Sequence, residues 1–154
     1  MSTPPEAIEL AEAMCCTFEG LRLKPYLCPA GVPTIGIGSC FYETGTRVTM
    51  NDPPITVERA KALLRLTLTR DYLPGVLRAS PGLAGDPIRL GAILDFGYNC
   101  GIPRYRSSTL MKRVNAQNWP GARIEIMRWN RGGGRVLPGL TQRRKTEAAL
   151  LCPG

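Results

Sequence analysis

The sequence predicts an α+β fold that is mostly helical. Apolar residues recur at helical spacing through most of the chain, whereas the segment 26–38 forms two short extended runs around a Pro/Gly turn, as in a β-hairpin. Because helical patterns lie on both sides of this segment, we expect a small N-terminal β-hairpin lobe and a helical C-terminal lobe, joined by a long helix. A length of 154 residues fits one domain that covers 1–154.

The first helix is predicted from Glu6 to Gly20, because apolar side chains recur there every three or four residues. Pro4 and Pro5 stop this pattern upstream. Gly20 is a natural left-handed terminator at the other end. The carboxyl end of this helix therefore lies directly before the predicted hairpin.

The hairpin is predicted from the extended runs 26–28 and 34–38, which flank a turn at 29–33. We expect a further extended piece near 45–49. Together these segments form a small β lobe of about residues 20–55.

The connecting helix is predicted for residues 56–79. Thr56 has the position and chemistry of an N-cap, and the apolar pattern continues to about Leu73, where Pro74 and Gly75 interrupt it. The helical lobe would comprise residues 1–19 and about 80–154. Its remaining helical patterns cover 87–98, 107–115, 120–129 and 140–151.

The chain contains no histidine. This absence excludes Ser-His-Asp and Cys-His hydrolases, histidine-ligated zinc enzymes and histidine proton relays. There is no GxGxxG fingerprint or phosphate-binding loop, and the six cysteines form no CxxC pair, so we expect neither a metal nor a nucleotide cofactor. An enzyme that works with carboxylates remains, or a protein that is not an enzyme.

The charge of the chain is strongly basic, since 20 Lys and Arg residues against 12 Asp and Glu residues give a formal charge of +8. A field of this sign attracts anionic lipid, anionic cell wall and nucleic acid. The basic segment 123–145 contains glycines and a proline, which argue against a DNA-reading helix, so no specific nucleic acid is expected. A solvated positive face without a specific partner is the alternative.

The sequence predicts no transmembrane segment, because no stretch approaches the roughly 20 apolar residues that a membrane helix needs. The segment 1–6 has neither the basic nor the apolar region of a signal peptide. We therefore expect synthesis in the cytosol and export only with outside help.

Glu19 is the candidate for acid catalysis, because it ends the first helix, where the carbonyl end of the helix dipole disfavours negative charge. A carboxyl group that holds its proton near neutral pH is what a general acid requires. Cys28 and Thr34 flank the turn and can present a thiol and a hydroxyl towards Glu19, which suits glycoside hydrolysis. The alternatives are a solvated glutamate, a small buried cysteine and a threonine that favours the strand.

The segments 18–26 (FEGLRLKPY) and 33–38 (PTIGIG) resemble the N-terminal signature of the phage-type lysozymes, glycoside hydrolase family 24. That family's active site is a glutamate, eight intervening residues, an aspartate or in a subset a cysteine, five more residues and a threonine. Glu19, Cys28 and Thr34 match this spacing. Further motifs resemble the family in the same order: 96–101 (F-x-F-N-x-G in the family), Ser108-Thr109-Leu110 with Asn115, Trp129-Asn130, Gly139-Leu140 and Arg143-Arg144-x-x-Glu147.

The resemblance implies a lysozyme-like fold, with Glu19 as the general acid and with Cys28 and Thr34 as its catalytic partners. Cys28 replaces the more common aspartate, so its role as base, water-positioning group or nucleophile stays open. Ser39 stands where the family usually has a histidine, which we expect to affect stability more than activity. The resemblance further implies supporting residues: Arg143, in preference to Arg144, to hold Glu19, and Tyr98, Asn99, Ser108 and Thr109 to line the groove for the glycan and its peptide stem.

The activity implied by the resemblance is that of an endolysin, a lysozyme that hydrolyses the β-1,4 bond between N-acetylmuramic acid and N-acetylglucosamine and so lyses the host cell. No metal or cofactor is implied. A lytic transglycosylase and an inactive wall-binding or nucleic-acid-binding module are the alternatives. The expected partners are peptidoglycan glycan strands and the anionic cell envelope, and we expect a monomer. The protein would wait in the host cytoplasm until a holin opens its route to the wall in the periplasm.

Overall fold

The structure is a computed structural model that describes residues 3–154. Residues 1 and 2, where the predicted domain 1–154 and the N-terminal segment 1–6 begin, lie outside the described residues. The predicted class, α+β and mostly helical, is confirmed. The elements in chain order are helix α1 (Thr3–Glu19), strands β1 (Arg22–Leu27) and β2 (Pro33–Gly36), helix α2 (Val57–Thr67), a π-helical turn (Leu68–Tyr72), helix α3 (Leu73–Ala79), a 3₁₀ helix (Pro81–Gly85), helices α4 (Pro87–Cys100), α5 (Ile102–Arg106), α6 (Thr109–Asn115) and α7 (Trp119–Ile126), strands β3 (Arg131–Gly132) and β4 (Arg135–Val136), and helix α8 (Pro138–Leu151).

Helix α1 begins upstream of the predicted start at Glu6, so that Pro4 and Pro5 lie within its first turn. The N–H groups of a first helical turn have no intrahelical acceptor, and proline therefore removes no hydrogen bond there. The helix ends at Glu19, and Gly20 takes a φ of 80°, the left-handed conformation of a terminator. Glu19 thus occupies the last position of α1, where the hairpin lobe begins.

The predicted hairpin is present as the antiparallel pair β1–β2, in which Tyr26 lies opposite Thr34. The turn between the strands closes on Cys28, whose N–H donates to Val32 O at 3.1 Å and whose carbonyl accepts from Gly31 N at 2.8 Å. This closure holds Cys28 and Thr34 at the mouth of the hairpin.

The extended piece expected near 45–49 is present only as a short antiparallel pairing around Arg47, and Gly45 belongs to the turn before it. Arg47 forms a bridge with Phe41, Tyr42 N donates to Thr46 O at 2.9 Å and Val48 N donates to Cys40 O at 2.9 Å. Gly45 N donates to Tyr42 O at 2.9 Å and closes the turn between the two paired segments.

The connection between the lobes is continuous, although an interruption after Leu73 was predicted. Thr56 is the N-cap of α2, since its hydroxyl accepts from Arg59 N at 3.1 Å. The π-helical turn Leu68–Tyr72 then resets the hydrogen-bond ladder, so Pro74 falls in the first turn of α3, where it removes no bond. The helical path therefore continues to Ala79.

Helices α1 and α4 pack closely through the middle of the helical lobe. A Cβ atom at Gly91 of α4 would lie 2.8 Å from Leu10 Cβ of α1, so the missing side chain permits this approach. The buried run of α4, residues 90–97, is apolar except for Asp95, which is fully buried. This packing places a buried carboxylate behind the end of α1 that carries Glu19.

The C-terminal half contains two short elements that the sequence did not predict. The first is a separate helix at residues 102–106. It precedes the predicted helix 107–115, which is present as α6 and begins at Thr109 because Ser108 is its N-cap. Residues 131–136 form a second hairpin whose two-residue strands are too short to produce an alternating pattern.

Three further features concern membranes, metals and thiols. No helix within residues 3–154 combines the length and apolar character required to cross a lipid bilayer. In the same residues, no three His, Cys, Asp or Glu side chains gather closely enough to hold a metal ion. The six cysteines are free thiols in this structure.

Candidate active site

A cleft of about 560 Å³ opens between the hairpin lobe and the helical lobe. Its walls come from the end of α1, the loop that follows β2, the connecting helix and the carboxyl end of α4. Three of the predicted site residues, Glu19, Tyr98 and Asn99, line it. Cys40, in the loop after β2, also lines the cleft and links it to the hairpin residues.

Among the described residues, Glu19 has a hydrogen-bond partner at one carboxyl oxygen and none at the other. Its side chain is 24% exposed, and Oε2 accepts a hydrogen bond from Nη1 of Arg143 at 2.6 Å. On the side of Oε1 lies Gly38, where a Cβ atom would be 3.4 Å from Oε1 and 2.9 Å from the Tyr98 hydroxyl. Gly38 also has a φ of 75°, in the left-handed region. Glycine is therefore favoured here for two reasons: the positive φ and the lack of space for a Cβ atom.

Arg143 is the predicted partner of Glu19, and Asp95 holds it from behind. Arg143 is 3% exposed and Asp95 is 0% exposed. Arg143 Nε donates to Asp95 Oδ2 at 2.9 Å and Nη2 donates to Oδ1 at 2.7 Å, which is the bidentate geometry of a strong ion pair. Burial by itself would raise the pKa of Asp95, but hydrogen bonds from Arg143 and Glu147 outweigh it and hold the pKa below its ordinary value.

Asp95 was not identified as a site residue from the sequence. The signal was present, because Asp95 is a lone carboxylate within the apolar run of residues 90–97. A buried carboxylate of this kind requires a partner. The sequence does not say which arginine supplies it.

Arg144 does not contact Glu19, although the two arginines are neighbours in the chain. It is fully buried, and Nη2 donates to Glu147 Oε2 at 2.9 Å. Its Nη1 contacts Cys100 Sγ at 2.8 Å. The preference for Arg143 over Arg144 as the partner of Glu19 therefore agrees with the observed contacts.

Cys28 and Thr34 lie on the hairpin and are not among the residues that line the cleft, although Thr34 contacts Cys40, which does line it. Cys28 is half-buried, and hydrogen bonds from the backbone of Val32 and Ala30, with a smaller one from the Thr34 hydroxyl, lower the pKa of its thiol. Thr34 is 3% exposed, donates to Val32 O at 2.8 Å and lies 3.7 Å from Cys40 Sγ. These hydrogen bonds favour deprotonation of Cys28 relative to an ordinary thiol.

The pKa of Tyr26 responds to charges on both candidate catalytic groups, Glu19 and Cys28. Tyr26 lies opposite Thr34 in the hairpin. Burial raises the pKa of its phenol, and the negative charges of Glu19 and Cys28 raise it further. The phenol of Tyr26 therefore stays protonated near neutral pH.

Tyr98 joins the lobes across the cleft. Its hydroxyl donates to Ile37 O at 2.8 Å, and its ring packs on Tyr72 with centroids 5.2 Å apart. Burial raises the pKa of this hydroxyl, so it remains protonated and keeps donating. Asn99, which is half-buried, follows on the same wall.

Ser108 and Thr109 are not placed in the cleft. The Ser108 hydroxyl accepts from Met111 N at 3.0 Å and donates to Tyr105 O at 2.6 Å, as the N-cap of α6, and the residue is 5% exposed. Thr109 is exposed in the first turn of the same helix. Capping occupies the Ser108 hydroxyl, and a groove role for Ser108 and Thr109 stays a prediction.

A second cavity of about 430 Å³ adjoins the cleft and shares Asn99 with it. Arg104, Arg128 and Arg131 line it together with Trp129. Arg128 Nε lies 3.5 Å from a glutamate oxygen, whereas Arg104 and Arg131 have no carboxylate within ion-pair distance in the part of the chain that the structure describes. The extension is therefore suited to an anionic group.

Comparisons with known proteins agree with this architecture. Residues 16–147 match the family model of phage lysozyme. An endolysin of Acyrthosiphon pisum secondary endosymbiont phage 1 is 34% identical over 137 residues, which cover 86% of this chain and 88% of the relative. Among solved structures, the endolysin from Escherichia coli O157:H7 phage FAHEc1 has a TM-score of 0.79 at 29% identity and covers 99% of this chain and 94% of its own. The muramidase domain of SpmX from Asticaccaulis excentricus has a TM-score of 0.72 at 27% identity, with coverages of 92% and 94%.

These similarities confirm the lysozyme-like fold that the sequence motifs implied. The family match extends from α1 through most of α8 and so includes Glu19, the hairpin and Arg143. The chain therefore belongs to the phage lysozyme family and is a glycosidase of the lysozyme type.

Proposed function

We propose that this chain is an endolysin with N-acetylmuramidase activity, which hydrolyses the β-1,4 bond between N-acetylmuramic acid and N-acetylglucosamine in peptidoglycan and so lyses the host. The observation that carries the proposal is the state of Glu19. One of its oxygens is fixed by the buried Arg143, the other has no hydrogen-bond partner among the described residues, and the side chain lines a cleft between two lobes. A cleft with one positioned carboxyl group suits acid-catalysed cleavage of a glycosidic bond.

In the proposed reaction, Glu19 donates its proton to the glycosidic oxygen while the bond from that oxygen to the anomeric carbon breaks. Oε2 is held by Arg143, which leaves Oε1 to face the sugar. Positioning of this kind places the proton within hydrogen-bond reach of the leaving group before the bond breaks.

Cys28 and Thr34 would complete the reaction from the hairpin side. The lowered pKa of Cys28 enlarges the thiolate fraction near neutral pH. A thiolate there would accept a proton from the water that attacks the anomeric carbon, position that water, or attack the carbon itself and release the sugar in a second step. The Thr34 hydroxyl beside it would orient the water.

The adjoining arginine cavity supports a role for the peptide stem of the substrate. Stem peptides carry free carboxylates, and Arg104 and Arg131 offer guanidinium groups without a competing partner among the described residues. Arginine binds carboxylates with two parallel hydrogen bonds. We infer that Tyr98 and Asn99 contact the glycan and that the arginine cavity receives the stem.

A further part of the proposal is how the protein reaches the peptidoglycan in the periplasm. We propose that the protein acts as a monomeric single domain, accumulates in the host cytoplasm and reaches the periplasmic wall when a holin opens the inner membrane. The formal charge of +8 would favour capture by the anionic envelope. Cell fractionation with and without holin expression, together with light scattering of the purified protein, tests these points.

Glu19→Gln tests the central claim. The amide keeps the shape of the side chain but has no proton to donate, so lysis of permeabilised Gram-negative cells should fall at least about 10²- to 10⁴-fold, the usual contribution of general acid catalysis. Glu58→Gln, at an exposed glutamate of α2, is the matched control and should lyse cells at the wild-type rate. Clearing at a near wild-type rate by Glu19→Gln would show that Glu19 is not the acid.

The product distinguishes hydrolysis from its alternatives. Mass spectrometry of digested peptidoglycan should find reducing N-acetylmuramic acid ends. Anhydro ends would instead show a lytic transglycosylase. Binding to wall fragments without any released product would show an inactive binding module.

A further inference from the structure

The ion pair behind Glu19 is fully withdrawn from solvent. Asp95 accepts two hydrogen bonds from Arg143, at 2.9 and 2.7 Å, and the Nη1 of the same arginine donates to Glu19 at 2.6 Å. Cys15 Sγ lies 3.3 Å from Asp95 Oδ1 and donates to it, which helps to fix the carboxylate. Arg143 is thus shared between a buried carboxylate and the carboxyl group in the cleft.

The sharing of Arg143 between Asp95 and Glu19 affects which protonation state of Glu19 is favoured. An arginine beside a carboxyl group favours the charged form of that group, whereas a general acid must carry its proton when the substrate arrives. Arg143 by itself would therefore position Glu19 and at the same time work against its protonation. Asp95 brings a negative charge to the opposite edge of the guanidinium, and little solvent intervenes to screen it.

We propose that Asp95 is a positioning residue that neutralises Arg143, so that Arg143 can hold Glu19 in place while Glu19 keeps the proton it donates. This proposal rests on the proposed role of Glu19 as the acid. Arg143 fixes the position of the Glu19 carboxyl group, and Asp95 balances the positive charge of Arg143.

Two further groups line the cleft with Glu19: the Cys40 thiol and Asp71, whose exposed carboxylate pairs with Arg70 at 3.0 Å. The buried and half-buried titratable groups around Glu19 add no charge to that of the Arg143–Asp95 pair. They come from four elements: Cys15 on α1, Tyr26 on β1, Tyr72 in the π-helical turn and Tyr98 on α4. Burial raises the pKa of each of the four, so each is neutral near pH 7. Cys28 on the hairpin has a lowered pKa, but a substitution at Asp95 leaves its turn intact.

Behind Asp95 lie Glu147 and Arg144, both fully buried and paired with each other. Burial and the neighbouring Asp95 carboxylate raise the pKa of Glu147. A hydrogen bond from Glu147 contributes to the lowered pKa of Asp95. The carboxyl group of Glu147 therefore supports a charged Asp95, which is the state that the proposal requires.

The test is the titration of Glu19 in Asp95→Asn, measured as the carbon-13 shift of the Glu19 carboxyl group by NMR and as the alkaline limb of the pH–lysis profile. Loss of the negative charge should move both midpoints down by about 1 pH unit, the lower end of the effect of an adjacent opposite charge. Lysis above the limb should then fall about tenfold. Asp95→Glu keeps the charge and should titrate close to wild type.

Tyr105→Phe is the matched control for a merely structural loss. Its hydroxyl makes a buried 2.6 Å hydrogen bond with Ser80 in the same lobe, without contact to Glu19 or Arg143. It should lower stability and leave the midpoint in place. If Asp95→Asn behaves like Tyr105→Phe, with reduced stability and an unmoved midpoint, the proposal is overturned.

A double variant keeps the test decisive if Asp95→Asn does not fold. Asp95→Asn with Arg143→Gln removes both charges and so avoids the uncompensated buried charge that makes the loss of one partner strongly destabilising. Its Glu19 midpoint should return to the wild-type pH, and a midpoint well below wild type would refute charge balance. The NMR titration needs no activity, so a failure of Glu19 as the acid, shown by an active Glu19→Gln, is distinguishable from a failure of this inference.

Discussion

Replacing Gly38 with alanine tests how closely the two lobes meet at Glu19. Gly38 has a φ of 75°, and a residue with a Cβ costs about 1–2 kcal/mol in that region. The new Cβ would lie 2.9 Å from the Tyr98 hydroxyl and 3.4 Å from Glu19 Oε1. Relief of the shorter contact breaks the hydrogen bond from Tyr98 to Ile37 O, which costs about 1 kcal/mol more. The free energy of unfolding should therefore fall by about 2–3 kcal/mol.

Gly45→Ala separates the backbone cost from the cost of the contact. Gly45 has a φ of 83°, and no atom lies within 4 Å of a Cβ placed there. This variant should lose only the backbone part, about 1–2 kcal/mol. The difference of about 1 kcal/mol corresponds to about 2–4 °C in the melting temperature of a protein of this size.

The assays are thermal unfolding and lysis of permeabilised cells by the two variants side by side. Gly38→Ala should melt about 2–4 °C below Gly45→Ala. It should also lyse cells about 10-fold to 10²-fold more slowly, because small displacements of a catalytic group have effects of this size. Gly45→Ala should keep the wild-type rate. Equal stability and equal activity of the two variants would refute the contact between Gly38, Tyr98 and Glu19 as a structural tie.

Three further predictions concern the hairpin thiol, the arginine cavity and the helix cap. Cys28→Ala should be nearly inactive. Cys28→Asp should keep substantial activity and move the acid limb of the pH–lysis profile downwards, because a carboxylate loses its proton near pH 4 and a thiol, even with its lowered pKa, does so at higher pH. Arg104→Gln with Arg131→Gln should raise KM for intact wall about tenfold and leave cleavage of glycan strands without stems unchanged. Ser108→Ala should destabilise the protein by about 1 kcal/mol through loss of the α6 cap, without an effect on KM.

Each of these has a contradicting result. Full lysis by Cys28→Ala, or by enzyme alkylated quantitatively at Cys28, would assign that cysteine a structural role and leave the water to Thr34. An equal rise in KM for glycan with and without stems would remove the stem from the arginine cavity. A raised KM in Ser108→Ala with unchanged stability would instead support Ser108 as a groove residue.

Local chemistry determined much of this protein from the sequence. The helical periodicity of α1, the Thr56 cap and the hairpin turn each depend on interactions within a few residues, and each is present. Glu19 at the end of α1 follows from the same local rules. The order of the motifs, with glutamate, cysteine and threonine at fixed spacing, was sufficient to indicate the family.

Some local signals were outweighed by other considerations. Ser108, followed by a helical pattern, has the chemistry of an N-cap, yet the resemblance to the family suggested a groove residue. Pro74 suggested an interruption of the helix. The structure has a π-helical turn before it, so Pro74 lies in the first turn of α3, and the sequence does not show this turn. The lone charge of Asp95 in an apolar helix indicated a buried partner without naming it.

Local chemistry did not distinguish the two arginines, although the resemblance to the family preferred Arg143, and only the tertiary structure shows the contacts that make Arg143 the partner of Glu19. Arg143 and Arg144 are adjacent in α8, and successive residues of a helix point about 100° apart. One therefore faces the cleft and Asp95, and the other faces Glu147 and the interior. The sequence fixes that angle between them, but the packing of α8 against α1 and α4 sets which direction meets which carboxylate. That choice depends on two long-range contacts of Arg143, which no local pattern encodes. Asp95 is 48 positions away from Arg143 in the sequence, and Glu19 is 124 positions away.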